Sequence, residues 1–366
     1  MIYRIYGQKD TTLYEESTRK TQNTGADEIL EVTKFYDELT STSLIGNSRI
    51  LAQFDITSIS ESISNGTISS NCKFYLNLTS TEQSEVQSEY ILNVFQVSQS
   101  WAEGIGQYYD KPITSNGTSW EYRNGTSLWS TGSFQSGTTG SYTFNAGGST
   151  WYTSSVNNST YSQTFNKYTN DLKVEVTEYV KDWMSGSRDN NGFIIKRSDI
   201  DESNSTRYGS SKFFSNETHT IYVPTLEVKW DDSSFETGSL SELTDDNIVI
   251  YDKNLLSEYK ELSKSRIRIV GRARYPQRTY STSSAYNEIK YLPQNTYYQV
   301  RDVETNLVIV PFDTTYTKVS CDETGNYFDF WFNTLQPERF YQFEFRTDRT
   351  NGRQEYFNGY VFKIIR

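Results

Sequence analysis

A single histidine, His219, is all the imidazole available to this 366-residue chain. That scarcity removes Ser-His-Asp triads, Cys-His pairs and His-rich zinc centres, because each needs a ring nitrogen to move a proton or hold a metal. Glycoside hydrolysis, which needs only two carboxylates, passes this test. Cysteine is almost as rare. Cys72 and Cys321 lie about 250 residues apart and read as buried small residues in separate domains, not as a disulfide framework. No stretch approaches the ~20 apolar residues of a membrane span, and the opening MIYRIYGQKD lacks the apolar centre of an export signal. The chain is therefore expected to fold where it is made, with no membrane insertion. Basic residues are outnumbered, 35 Lys and Arg against 46 Asp and Glu, for a net charge of −11. That sign opposes attraction to a phosphate backbone, and no nucleic-acid partner is expected.

What the chain has in quantity is aromatic: 29 Tyr and 20 Phe, against 6 Pro and 2 Met. Such a bias suits pleated, half-buried surfaces and predicts an all-β protein. Its length suggests two domains. The runs ILEV, RILAQFDI, CKFYLNL and YILNVFQV read as successive strands of a sandwich; in the third, Cys72, Phe74, Leu76 and Leu78 alternate with polar neighbours. Between Leu172 and Arg197 the pattern changes: Val176, Tyr179, Val180, Trp183 and Met184 fall at helical spacing, between two apparent strands. Thr177 stands where an N-cap belongs and Gly186 where the helix should stop.

From Gly104 to Asn170 the composition turns to Gly, Ser, Thr and Asn, read as short irregular strands with aromatic-anchored turns. The sequons at Asn65, Asn116 and Asn124 read as polar turns. The acidic, small-residue stretch 231–246 suits a linker. After it, about seven short strands in roughly 120 residues predict an immunoglobulin-like sandwich, with hairpin turns near Glu304–Asn306 and Asp322–Gly325. Residues 254–262 are compatible with a short helix or a strand. The expected organisation is a jelly-roll-like β-sandwich with one short helix over 1–230, the linker 231–246, and an Ig-like β-sandwich over 247–366.

Four sets of residues are candidates for chemistry. Arg272, Arg274, Tyr275, Arg278 and Tyr280 fall together in an otherwise acidic chain, and planar, hydrogen-bonding side chains of this kind favour an assembly interface; the alternative is a loop whose arginines meet local carboxylates. Trp101, Trp120, Trp129 and Trp151 lie in or beside the Gly-rich region, as glycan or partner contacts if exposed and as loop anchors if buried. Asp199 and Asp201 invite a calcium reading, but the run lacks the Gly and Glu of an EF-hand loop and suits a solvated turn better. Asp322 with Asp329 or Glu338 illustrates the many carboxylate pairs that sequence cannot rank. No cofactor, metal site or catalytic residue is assigned.

The ordered pieces QNTGADEILEV, SRILAQFDI, SWAEG, VEVTEYVKDWMSG, NGFIIKR and KFFSNETHTIYVPTLEV, spanning about residues 8–230, resemble the DNRLRE family of disaggregatase-related β-sandwich modules from bacterial and archaeal surface proteins. The resemblance implies a jelly-roll-like fold used for display or attachment, without a fixed catalytic constellation. The second half, through SRIRIVGRARYPQRTYSTSSAYNEIKYLPQNTYYQV and GNYFDFWFNTLQPERFYQFEF, is similar to uncharacterised virion proteins of contractile-tailed marine phages. Together these imply a non-enzymatic virion component, at tail, neck or baseplate, assembled in the host cytoplasm with other virion proteins in a symmetric array. The competing expectation is a carbohydrate-binding adhesin that meets a host surface glycan.

Overall fold

Alternation along the chain forces it into sheets with one dry face. In the strand Lys73–Leu78, Phe74, Leu76 and Leu78 are buried while Lys73 is exposed; in Phe340–Asp348, Tyr341, Phe343 and Phe345 point inward. The computed structural model describes all residues except 38–43, 84–85, 131–134, 137–139, 144–146, 154–160, 167, 246, 277–287 and 350. The protein is an all-β sandwich fold, with three short α-helices among the described residues. It divides into an N-terminal unit, Ile5–Asn65 with Lys73–Glu227, and a C-terminal unit, Val228–Arg366 with Met1–Arg4 and Gly66–Cys72.

The sheet of the N-terminal unit runs in the order Leu172–Glu175, Lys73–Leu78, Thr225–Lys229, Ile2–Tyr14, Leu44–Phe54, Phe193–Lys196, Glu89–Gln96, Tyr161–Asn166, of which the first and last few residues of two strands fall in the other unit. The strand Leu44–Phe54 also pairs with Ile29–Asp37, which in turn pairs with Gly209–Phe214. Its first residues, up to Asn47, face Ile29–Asp37, and from Ser48 onward it faces Ile2–Tyr14. One strand thus joins the pair Ile29–Asp37 and Gly209–Phe214 to the rest of the sheet.

Three helices replace the one expected: α1, Thr57–Ser64; α2, Thr177–Met184; and α3, Asp199–Ser203. Helix α2 is the predicted one, and it buries Tyr179, Val180 and Trp183, the last against Phe193 at 4.7 Å between ring centroids. Its start needs correction. Thr177 is the first helical residue, not the cap, and its hydroxyl instead accepts the Phe74 N–H at 3.0 Å, tying the helix to the neighbouring strand. Gly186 follows the C-cap with φ +72°, as a helix stop requires. Helices α1 and α3 were missed because they are short and polar, with one buried residue each, Ile59 and Glu202.

The C-terminal unit stacks two sheets. One orders Ser241–Glu242, Lys290–Tyr291, Lys264–Ala273, Gly325–Trp331 and Ser320–Asp322, with Ile248–Asp252 also on Lys264–Ala273; the other orders Glu258–Lys260, Gln354–Ile365, Phe340–Asp348, Thr296–Asp302 and Val308–Val310. Residues 254–262 contain the strand Glu258–Lys260 and no helix. Between the sheets lie stacked rings: Tyr298 on Phe328 at 4.3 Å and Tyr259 on Phe332 at 4.1 Å. Within 231–246, Glu236 N–H donates to the Cys321 carbonyl and Leu243 N–H to that of Tyr291. Cys72 and Cys321 are both buried thiols, and both belong to this unit. Burial pushes the Cys321 thiol up to about 11.

Candidate functional site

The four tryptophans in or beside the Gly-rich region are core. Trp101, Trp120, Trp129 and Trp151 are each at most 5% exposed and form one cluster with Leu13, Leu51, Val97 and Ile194. Their polar edges are used internally: Trp101 Nε1 donates to the Asn191 carbonyl at 2.9 Å and Trp129 Nε1 to that of Ser119 at 3.0 Å. No ring face is left to stack on a sugar, so the glycan-contact expectation for these residues finds no support in their placement. Gly148 shows how tightly the region closes: at φ +73°, a Cβ there would meet Arg49 Nη1 at 2.5 Å and the Trp120 ring at 2.8 Å.

That arginine belongs to a buried ion network that sequence reading did not find. Arg49 Nε and Nη2 donate to the two oxygens of Glu202 at 3.0 and 2.7 Å, and the Lys196 ammonium lies 3.0 Å from Glu202 Oε2. All three side chains are almost wholly buried. The Arg49 guanidinium sits 4.6 Å from the Trp120 ring centre and 5.0 Å from that of Trp151, while Lys196 sits 4.8 Å from Trp151. The only sequence signal was Lys196 in NGFIIKR, a cation closing the otherwise apolar strand Phe193–Lys196.

Asp199 and Asp201 occupy helix α3, not a solvated turn. Asp199 pairs with Lys196, and Asp201 accepts hydrogen bonds from the Ser198 and Tyr208 hydroxyls at 2.7 Å each. The Ser198 hydroxyl also caps the helix by accepting the Asp201 N–H at 3.0 Å. Asp201 thus spends both oxygens locally and Asp199, 59% exposed, spends one.

In the C-terminal unit, Arg274 and Tyr275 are exposed, Tyr275 at 80%, whereas Arg272 is half-buried and donates to the Ala273 carbonyl. Arg278 and Tyr280 lie outside the described residues. The carboxylates weighed for sugar hydrolysis are ion-paired: Asp322 with Arg268 at 2.7 Å, Asp329 with Arg266 at 2.8 Å, and Glu338 with Lys363 at 2.7 Å. Hydrogen bonds from Arg268 hold Asp322 well below the ordinary carboxylate range, and Lys363 lowers Glu338. Asp329 is lowered as well, its burial outweighed by Arg266 and Lys264. A general acid needs the opposite shift.

At two places in the N-terminal unit at least one carboxylate does show that shift. In the first, one oxygen from each of Asp10, Glu103 and Glu217 lies within 4.8 Å of the others. Asp10 is 1% exposed, and burial raises it well above the usual range; burial also pushes Glu103 up to about 7 and raises Glu217. Asn216 N–H donates to Asp10 Oδ2 at 2.8 Å and Asp10 N–H to Glu103 Oε1 at 2.7 Å. The loop that carries Glu103 is pinned by Asn23, whose Nδ2 donates to the Glu103 and Thr118 carbonyls and whose Oδ1 accepts the Gly106 N–H. Sequence reading missed this grouping, although two of its members lie in pieces of the ordered motif, Glu103 in SWAEG and Glu217 in KFFSNET; Asp10 stands 12 residues before QNTGADEILEV.

The second is an open cleft of about 700 Å³ lined by Tyr14, Asp27, Glu31, Tyr108, Tyr109 and Lys212, among others. Tyr14 and Tyr108 pack at 4.9 Å, the Arg19 guanidinium covers Tyr108 at 3.6 Å, and Tyr109 is 84% exposed. Burial raises Asp27 to about 6, against the Tyr108 N–H that donates to it. Exposed ring, carboxylates and an ammonium side by side are chemistry suited to a polyhydroxylated ligand.

No family model matches the chain, and no curated protein matches it.

Proposed function

We propose that the chain is a non-enzymatic structural component of a phage virion, at tail, neck or baseplate, working by docking to other virion proteins and displaying a DNRLRE-like module. The observation that carries this reading is the outer face of one C-terminal sheet. Phe340 and Val361 are each 45% exposed there and Tyr356 61%. In register, Val361 stands opposite Gln342 and Tyr356 opposite Arg346, so all belong to the face turned away from buried Tyr341, Phe343 and Phe345. Among them Arg301 holds Glu344 at 2.8 Å, giving the apolar patch a polar frame of the kind interfaces use. Exposed Arg274 and Tyr275 add planar side chains of the type enriched in such contacts. The clamped state of Asp322, Asp329 and Glu338 supports a non-catalytic role for this unit. In a symmetric array, modest contacts act together through effective concentration.

The test is incorporation into particles. Phe340→Glu with Val361→Glu should leave the isolated chain's melting temperature near wild type and sharply reduce its copy number in purified particles; wild-type incorporation would sink the docking face. A second reading, glycan attachment, is favoured by the Tyr14–Tyr108 cleft alone. It predicts saturable binding of host-surface polysaccharide that Tyr109→Ala and Asp27→Asn abolish, and absence of binding by folded wild type would remove it.

A further inference from the structure

Three carboxylates gathered from distant parts of the chain repel one another unless something positive joins them. Asp10 comes from the strand Ile2–Tyr14, Glu103 from the loop after Trp101, and Glu217 from the turn after Gly209–Phe214, yet one oxygen of each falls within the same 4.8 Å. One cation, Lys9, acts on the group, through Glu103. Its ammonium donates to the Trp101 carbonyl at 2.6 Å and lies 4.3 Å from the Trp101 ring centre, which leaves the three acids with net negative charge. Two oxygens of the group, Asp10 Oδ1 and Glu217 Oε2, are buried without a hydrogen-bond donor among the described residues. In Asp10, a side chain 1% exposed, such an orphaned acceptor is costly in free energy.

We propose that Asp10, Glu103 and Glu217 form a calcium site. The donors are all oxygen, which selects a hard cation over zinc, copper or iron. Ca²⁺ takes irregular oxygen sets at ~2.3–2.6 Å, so oxygens up to about 5 Å apart can share one ion and a group held within 4.8 Å is accommodated, whereas Mg²⁺ demands a near-ideal octahedron at about 2.1 Å. The ion satisfies both orphaned oxygens and converts mutual repulsion into a link between strand, loop and turn. Because the Glu103 loop leads into the packed segment around Trp120 and Trp129, calcium at this point braces the Gly-rich region from its base. This inference is independent of the virion reading.

The experiment uses the full chain, stripped with EDTA and desalted. Scanning calorimetry should show CaCl2 raising the melting temperature by roughly 5 °C at saturation, with MgCl2 much less effective. Terbium, excited through the nearby Trp101, should luminesce when bound and be displaced by calcium with a stoichiometry of one per chain. Glu103→Gln and Glu217→Gln, checked as folded by circular dichroism, should each weaken calcium binding at least about tenfold, while the exposed Glu242→Gln leaves it unchanged. If Asp10→Asn does not fold, the wild-type terbium competition still decides. Absence of both a calcium-induced shift and displaceable luminescence, a magnesium-only response, or unaltered affinity in both glutamine variants would overturn the site.

Discussion

Glu202 neutralises two cations at once, and its removal leaves both stranded. Glu202→Gln keeps the shape but withdraws the charge facing Arg49 and Lys196, each 1% exposed. Breaking a buried pair from one side costs about 3–5 kcal/mol, and here the loss should appear as a lower denaturation midpoint with unchanged slope. Asp252 makes a different prediction at the same scale. Its Oδ2 accepts the Tyr360 N–H at 2.8 Å, its Oδ1 has no donor among the described residues, and burial raises its carboxyl to about 6. A carboxyl raised on folding binds its proton more tightly in the native state, so its contribution to stability is complete below its unfolded value near 4 and lost as pH rises through about 6. In EDTA, therefore, wild type should gain stability as pH falls from about 7 to about 5. Asp252→Asn should reduce that gain by about 1 kcal/mol. Neither residue announced itself in the sequence: each is one acid among 46, and what sets it apart is a neighbour more than 100 residues away.

At the scale of elements, helix α2 was legible because five apolar residues repeat at helical spacing next to a glycine stop, a local pattern needing no tertiary knowledge. Trp183→Ala should cost about 3–5 kcal/mol through the cavity left against Phe193. Trp183→Phe should cost much less, since it also removes an indole N–H that has no acceptor among the described residues. Paired thermal melts of the two variants check the contrast. Strands were legible for the same reason, with Phe74, Leu76 and Leu78 all inward. Helices α1 and α3 were not, because Ile59 and Glu202 give each too little of an apolar stripe to register. For the tryptophans, composition could not separate an exposed ring from a buried one. The deciding factors, Arg49 and Lys196 over their faces and backbone carbonyls at their N–H groups, come from strands far along the chain.

For the whole molecule, the −11 charge acts through its field more than through any contact. At about 0.01 M salt, where the screening length is ~30 Å, the chain should not retard duplex DNA in a gel-shift experiment. A stable complex at that ionic strength would require a concentrated basic surface that the composition does not suggest. The all-β character was readable from Tyr and Phe content together with scarce Pro and Met. The assignment of Met1–Arg4 and Gly66–Cys72 to the C-terminal unit was not, since it depends on chain segments returning across long sequence distances.

The strand Leu44–Phe54 touches Ile29–Asp37 near its start and both Ile2–Tyr14 and Phe193–Lys196 beyond Ser48. Ile50, Leu51 and Ala52 are all buried, so both faces are packed there, and because side-chain direction flips with each residue a one-step slip would carry Leu51 to the wrong face and misalign three partners together. Such a keystone tolerates no partial error. Its amides should be among the slowest in the N-terminal unit to exchange with deuterium, opening only when the surrounding sheet comes apart as one piece.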